Sequence, residues 1–177
     1  MTDLLKNILR CCLFIFVQVF LLTEIPPLHR YVSPHLYYLF ILWLPFRTPR
    51  IALLFIAFFY GLIIDAFLHT PGLHAAACIL IAYLRPFIIA VLLPKEVGES
   101  GYPEPSYKSM GMIPYGTYIM LLTFFHHFYL ILLEWLQLGG FLLFIGKVLA
   151  SSGVSLLLVL ITELVFSRKS NYRTNMA

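Results

Sequence analysis

The sequence predicts an all-α integral membrane protein, a compact bundle of six transmembrane helices with both termini cytoplasmic. Three observations predict it. Of the 177 residues, 61% are hydrophobic and only 11% charged, with a mean hydropathy of +0.91. A soluble domain carries roughly half apolar and about a quarter charged residues. The apolar residues fall into six runs, each reaching or approaching the roughly 20 residues that cross a hydrocarbon core about 30 Å thick. The basic residues then fall almost entirely on one side of those runs. One membrane domain over residues 1–177 follows.

The first run covers residues 4–23. Lys6 and Arg10 before an apolar stretch from Cys11 to Leu22 resemble the opening of a secretory signal, but the stretch ends in Thr-Glu-Ile-Pro-Pro with no small-x-small cleavage site. It reads as a retained first helix that stops before Pro26-Pro27. The second helix is expected over residues 34–46, with Ser33 as N-cap and Pro34 at the first helical position. Its shortness, and Pro45 near its end, also fit a re-entrant or tilted piece. The third helix, residues 51–68, ends at Thr70-Pro71-Gly72, and the fourth, residues 73–93, ends at Pro94. A polar loop over residues 94–114 follows, too short and polar to fold alone. The fifth helix is expected over residues 115–136 and the sixth, after Gly139-Gly140, over residues 141–166. A basic tail, residues 167–177, closes the chain.

Charge placement favours six crossings. With the N-terminus inside, Lys6, Arg10, Arg47, Arg50, Lys95, Lys108, Arg168, Lys169 and Arg173 are cytoplasmic, and only Arg30 lies in an outer loop. Without the second crossing every later loop changes sides and the bias collapses. The formal charge of +4 is therefore a topological signal rather than one for nucleic acid. The outer loops near residues 69–72 and 137–140 are tiny, which excludes an extracytoplasmic domain. Cys11, Cys12 and Cys78 sit in apolar runs without disulfide or metal spacing and read as packing residues.

Few residues are candidates for chemistry. Ala57, Gly61 and Asp65 share a face of the third helix, and small residues at that spacing let helices approach closely. An ionisable group such as Asp65 inside a membrane helix is a functional candidate, its alternative being a cap for the neighbouring turn. Arg85 shares a face of the fourth helix with Ala75, Cys78 and Ala82. It lies about 15 Å in depth from Asp65 by helical rise, so it is expected to snorkel inward or meet Glu163. Pro86 beside it is a point where the helix can bend. In the sixth helix Lys147, Ser151, Ser155 and Thr162 form a polar stripe, with Gly146, Ala150 and Gly153 beside it. By depth, Asp65, Glu134 and Lys147 are expected to form one outer hydrogen-bonded cluster. His126 and His127 point about 100° apart and read as helix-to-helix hydrogen-bonding groups, whereas His69 and His74 read as solvated.

No nucleophile elbow, His-Glu-x-x-His, P-loop or dinucleotide fingerprint occurs, and no cofactor or metal is expected. The 16 Phe, 11 Tyr and two Trp are spread over all the helices, as in lipid-facing and interfacial belts. An enzyme is not expected, and a membrane-embedded hydrolase lacks a recognisable nucleophile and base.

The run Gly61-Leu-Ile-Ile-Asp65, then Leu68-His-Thr-Pro-Gly72-Leu-His-Ala75-Ala-Ala, then Tyr83-Leu-Arg85-Pro86, resembles the MreD family of rod shape-determining proteins. Leu44-Pro-Phe-Arg47-Thr-Pro-Arg50 is similar to one branch of it. The resemblance implies a non-enzymatic scaffold of the bacterial cell-elongation complex in the inner membrane. Its implied partners are an MreC-like single-pass protein, a RodA-like glycosyltransferase, a class B penicillin-binding protein and MreB filaments, besides membrane lipid. It implies a packing or partner surface at Gly61, Asp65 and Gly72, and no catalytic residue. The rival expectation is a six-helix substrate-binding subunit of a vitamin-type transporter. That reading needs convergent polar groups around a cavity open to one side, which Asp65, Glu134 and Lys147 would have to supply.

Overall fold

The computed structural model describes residues 3–23, 32–93, 104–135 and 140–166, and these are helical throughout apart from turns and one irregular segment. The tail 167–177, loop residues 94–103, the Pro26-Pro27 stop, Arg30 and Gly139 lie outside the described residues. The helices are α1 (Asp3–Phe16), α2 (Leu39–Leu42), α3 (Arg50–Leu68), α4 (Leu73–Leu92), α5 (Tyr107–Met110), α6 (Met112–Trp135) and α7 (Phe141–Val165). A π-helical stretch, Val17–Leu22, extends α1. Five helices are long and apolar enough to cross a membrane: α1 with its extension, α3, α4, α6 and α7. The chain is a multi-pass membrane protein. Those five agree with the apolar runs to within about three residues at either end; α6 starts earliest relative to expectation, taking Pro114 into its first turn, where a missing N–H costs nothing.

The second run departs from expectation. In place of a helix over residues 34–46, residues 32–36 have no regular structure, residues 37 and 38 form a turn, and α2 is a single turn of four residues. Partner positions show how far this segment travels. The Ser33 N–H meets Ser151 of α7 and the Trp43 indole meets Glu163, twelve residues further along that helix. That is about 18 Å of helical rise, whereas ten residues of α-helix span only about 15 Å. A partly extended chain covers the distance, and Pro45 turns the residue before it, Leu44, away from the helical conformation.

This thread is the core of the bundle. Leu36, Tyr37, Tyr38, Leu39, Phe40, Ile41, Leu42, Trp43 and Leu44 are all buried. Packed around them are Phe14 of α1, Tyr60 of α3, Cys78 of α4, Leu122 of α6 and Val159 of α7. The spanning helices form a row in which α3 packs on α4, α4 on α6 and α6 on α7. A smaller cluster of Ala77, Leu130, Ile131, Phe144 and Val148 joins the last three. The outward faces carry bare apolar side chains such as Ile51, Phe55, Leu142, Leu157 and Leu164, which only a hydrocarbon solvent makes tolerable on this scale. The part of the polar loop that is described does fold onto the bundle: Ser106 and Ser109 form a reciprocal cap on α5, and Glu104 pairs with Arg10 at 2.8 Å.

Candidate functional site

The polar groups of the interior form three sets, and the first explains the Gly61/Asp65/Gly72 motif. A β-carbon on Gly61 would lie 2.4 Å from Ala75 Cα and 2.7 Å from its nitrogen, so α3 touches the backbone of the first turn of α4. One turn further along α3, Asp65 reaches the free N–H groups of that turn. Its Oδ1 accepts from the His74 N–H at 2.9 Å and its Oδ2 from the Ala75 N–H at 2.9 Å. Thr70 Oγ1 and His74 Nδ1 add hydrogen bonds to Oδ1 at 3.0 and 2.9 Å. The carboxylate of one helix thus caps the N-terminus of the next, where backbone donors lack partners and the helix dipole favours negative charge. Left-handed conformations at His69 (φ 56°) and Gly72 (φ 83°) make the turn between them. His74, expected to be solvated, is 3% exposed; the carboxylate beside it supplies the partner that makes burial possible.

The second set holds the thread. An irregular backbone inside a membrane protein needs its polar groups satisfied by protein, and here side chains from all five spanning helices supply partners. Gln18 Oε1 accepts from the Leu36 N–H at 2.9 Å, and Ser151 and Ser155 accept from the N–H groups of Ser33 and His35 at 3.1 and 3.0 Å. The Tyr60 and Tyr118 hydroxyls donate to the carbonyls of Tyr37 and Leu42 at 3.0 and 2.9 Å. Arg85 Nη2 donates to the Leu44 carbonyl while its Nε donates to the Tyr118 hydroxyl at 3.0 Å. Ser151 and Ser155 of the α7 polar stripe therefore face inward and cap the thread, whereas Thr162 donates to the Leu158 carbonyl of its own helix and Lys147 pairs with Glu134. Arg85 neither snorkels nor meets Glu163 in a hydrogen bond: it is 2% exposed, with one donor on the Leu44 carbonyl of the thread and one on the Tyr118 hydroxyl. Glu163 instead accepts from Trp43 and Tyr115.

The third set is a layer of four imidazoles where the thread passes α4 and α6. The His35 ring lies 5.6 Å from His74, 6.1 Å from His126 and 5.6 Å from His127, centroid to centroid. His126 stacks on Tyr38 at 4.6 Å, and its Nε2 is 2.7 Å from the Tyr37 hydroxyl. His127 Nδ1 donates to the Thr123 carbonyl, so its Nε2 accepts from Ser155 of α7 at 2.9 Å. Both α6 histidines hydrogen-bond across elements, one to the thread and one to α7. His35 Nε2 and His126 Nδ1 are buried without a hydrogen-bond partner. Among the described residues no group of three or more His, Cys, Asp or Glu side chains is placed to hold a metal ion.

The expected outer cluster divides in two. Lys147 pairs with Glu134 between α7 and α6, whereas Asp65 is occupied by the α4 turn. Depth alone put them together; the azimuth of each helix separates them. Ala57, Ala75 and Ala82 are buried, Ala75 against Gly61 of α3. Gly146, Ala150 and Gly153 lie on the exposed side of α7, and nothing within 4 Å would meet a β-carbon at either glycine. The residues that sequence reasoning passed over are Gln18, His35, Tyr37, Tyr38 and Tyr118. A glutamine inside an apolar helix was the available signal, since such a group demands a partner.

Chemically, the interior is a set of mutual caps. Hydroxyls, amides and a carboxylate are committed to backbone, and the remaining imidazole nitrogens do not converge on one point. The chain matches no protein-family model, no curated protein and no solved structure.

Proposed function

We propose that the chain is a non-enzymatic membrane scaffold of the bacterial cell-elongation complex, seated in the inner membrane by six crossings with both termini cytoplasmic. The resemblance of the Gly61–Pro86 region to MreD motivates the reading, and one structural observation carries it. The outward face of α7 sets Gly146, Ala150 and Gly153 among exposed Leu142, Leu149 and Leu160. A stripe of small residues lets a second membrane helix approach backbone to backbone, and no element of the described chain occupies it. The fitting occupant is the single helix of an MreC-like protein, with RodA-like and class B penicillin-binding proteins and MreB filaments beyond it.

The sixth crossing is the thread itself. Arg10 of α1 lies over the Trp43 ring at 5.7 Å, and Gln18 reaches Leu36, so the thread runs antiparallel to α1 at the same depth. This supports a return across the bilayer, as does the nine-to-one distribution of basic residues.

A photo-crosslinker at position 153 tests the scaffold reading in cells. Capture of an MreC-like chain from position 153, and not from Phe55 on the exposed side of α3, supports it. Equal capture from both positions, or none, contradicts it. The vitamin-transporter reading has one observation in its favour, the irregular segment inside the bundle, since transporters build solute sites from broken helices. Here the N–H groups of Ser33, His35 and Leu36 and the carbonyls of Tyr37, Leu42 and Leu44 are capped by side chains, which leaves them unavailable to a solute.

A further inference from the structure

The end of the bundle where α3 begins and α4 ends carries a basic pocket that the scaffold reading does not use. It has a volume of about 420 Å³. Arg47, Arg50 and Arg85 line it together with Leu53, Ile89 and Leu93, and no acidic residue does among the described residues. Arg47 and Arg50 are exposed, and neither pairs with an acidic side chain among the described residues. Arg50 rests on the Phe87 ring at 5.4 Å, which holds its guanidinium against α4.

Arg85 is buried and fixed. Two of its nitrogens donate to Leu44 and Tyr118, and a guanidinium has five N–H donors, so donors remain for the pocket it lines. The first turn of α3, a helix of 19 residues, adds to this field. Its N-cap is Pro49 with no side-chain cap, and it has no acidic residue in the first turn. Its leading N–H groups and the positive end of its dipole favour an anion.

Register places the pocket at the membrane interface. Gly61 meets Ala75, so in an antiparallel pair Arg50 stands level with Pro86, and α4 continues beyond the start of α3 by its last two turns. Leu53, Ile89 and Leu93 give the basic pocket an oily wall, and Val91 nearby is 84% exposed. An apolar groove of about 310 Å³, lined by Ile51, Leu54, Phe55, Phe58 and Ile79, lies further into the membrane along α3. Ile79, Pro86 and Ala90 fall on one stripe of α4 by helical periodicity, so the groove and the pocket flank the same helix seam. Three cations over an apolar seam suit a phosphate with acyl chains attached better than a free anion.

We propose that this pocket binds the phosphate of an anionic phospholipid headgroup, with an acyl chain lying along the α3–α4 seam. The proposal stands whether or not the chain is a scaffold.

The test uses the full chain, purified in detergent with an equimolar mixture of phosphatidylglycerol and phosphatidylcholine, and native mass spectrometry of the lipids retained. Wild type is expected to retain phosphatidylglycerol preferentially. The double variant R47Q/R50Q changes two exposed side chains and should fold; its preference is expected to fall about tenfold. A control pair, K6Q/K108Q, removes the same charge elsewhere and should keep the preference. Equal retention of the two lipids by wild type overturns the proposal, as does an equal loss in both variant pairs, which would mean diffuse attraction. Thermal stabilisation by inorganic phosphate matching that by phosphatidylglycerol would overturn the lipid as source.

Discussion

At Gly61 the α3–α4 contact leaves no room for a β-carbon, and the same contact delivers the Asp65 carboxylate to two backbone N–H groups of the next helix. Replacing Gly61 with Ala forces the helices apart, and an overpacked contact of this kind costs about 3 kcal/mol. Gly146→Ala, on an open helix surface, is expected to stabilise by about 0.5–1 kcal/mol through helix propensity. Thermal unfolding of the two variants in detergent distinguishes them; similar losses would refute the close approach. A second pair of variants separates the two halves of the expected outer cluster. Asp65→Ala strands the α4 N-terminus and is expected to cost about 3 kcal/mol. Lys147→Met breaks a partly exposed ion pair and is expected to cost about 1 kcal/mol or less after screening. Equal costs in the same unfolding assay would revive a single shared cluster. The motif was legible in the sequence because Gly61 and Asp65 stand one turn apart. Its partner His74 was not, since a histidine next to a Pro-Gly turn looks solvated until the carboxylate nine residues earlier is seen to reach it.

At the scale of elements, five helices were legible because hydrocarbon imposes a length on them, and length is readable without any tertiary knowledge. The thread was not. Its apolar run, its Ser33-Pro34 opening and its Pro45 close all suit a short helix. What makes it irregular is held elsewhere: Gln18, Tyr60 and Tyr118 are isolated polar residues on three helices, and the Ser151/Ser155 stripe of α7 does not reveal which backbone it caps. Each looks incidental until the backbone it serves is in place. Gln18→Leu tests this dependence. It removes the acceptor of the Leu36 N–H and a contact to the Pro34 carbonyl, and is expected to destabilise by about 1–3 kcal/mol. Phe16→Leu, on the exposed side of the same helix, should change little. Indistinguishable melting of these two variants would show that the thread does not rely on its caps.

At the scale of the whole molecule, a bundle filled by its own chain offers function mainly on its outer faces and at its ends. Topology follows from the thread. If it crosses, single cysteines at Thr2 and Ser170, in a chain with Cys11, Cys12 and Cys78 replaced by Ala, are both shielded from a membrane-impermeant thiol reagent in intact cells. Labelling of one and not the other would leave five crossings. The scaffold reading reaches furthest beyond geometry, and the measurement that tests it most directly is the identity of proteins retained with the full chain from gently solubilised membranes. An MreC-like single-pass protein and a RodA-like glycosyltransferase are expected among them. Recovery of an ATPase module with a coupling subunit in their place would contradict the scaffold reading and establish a transporter.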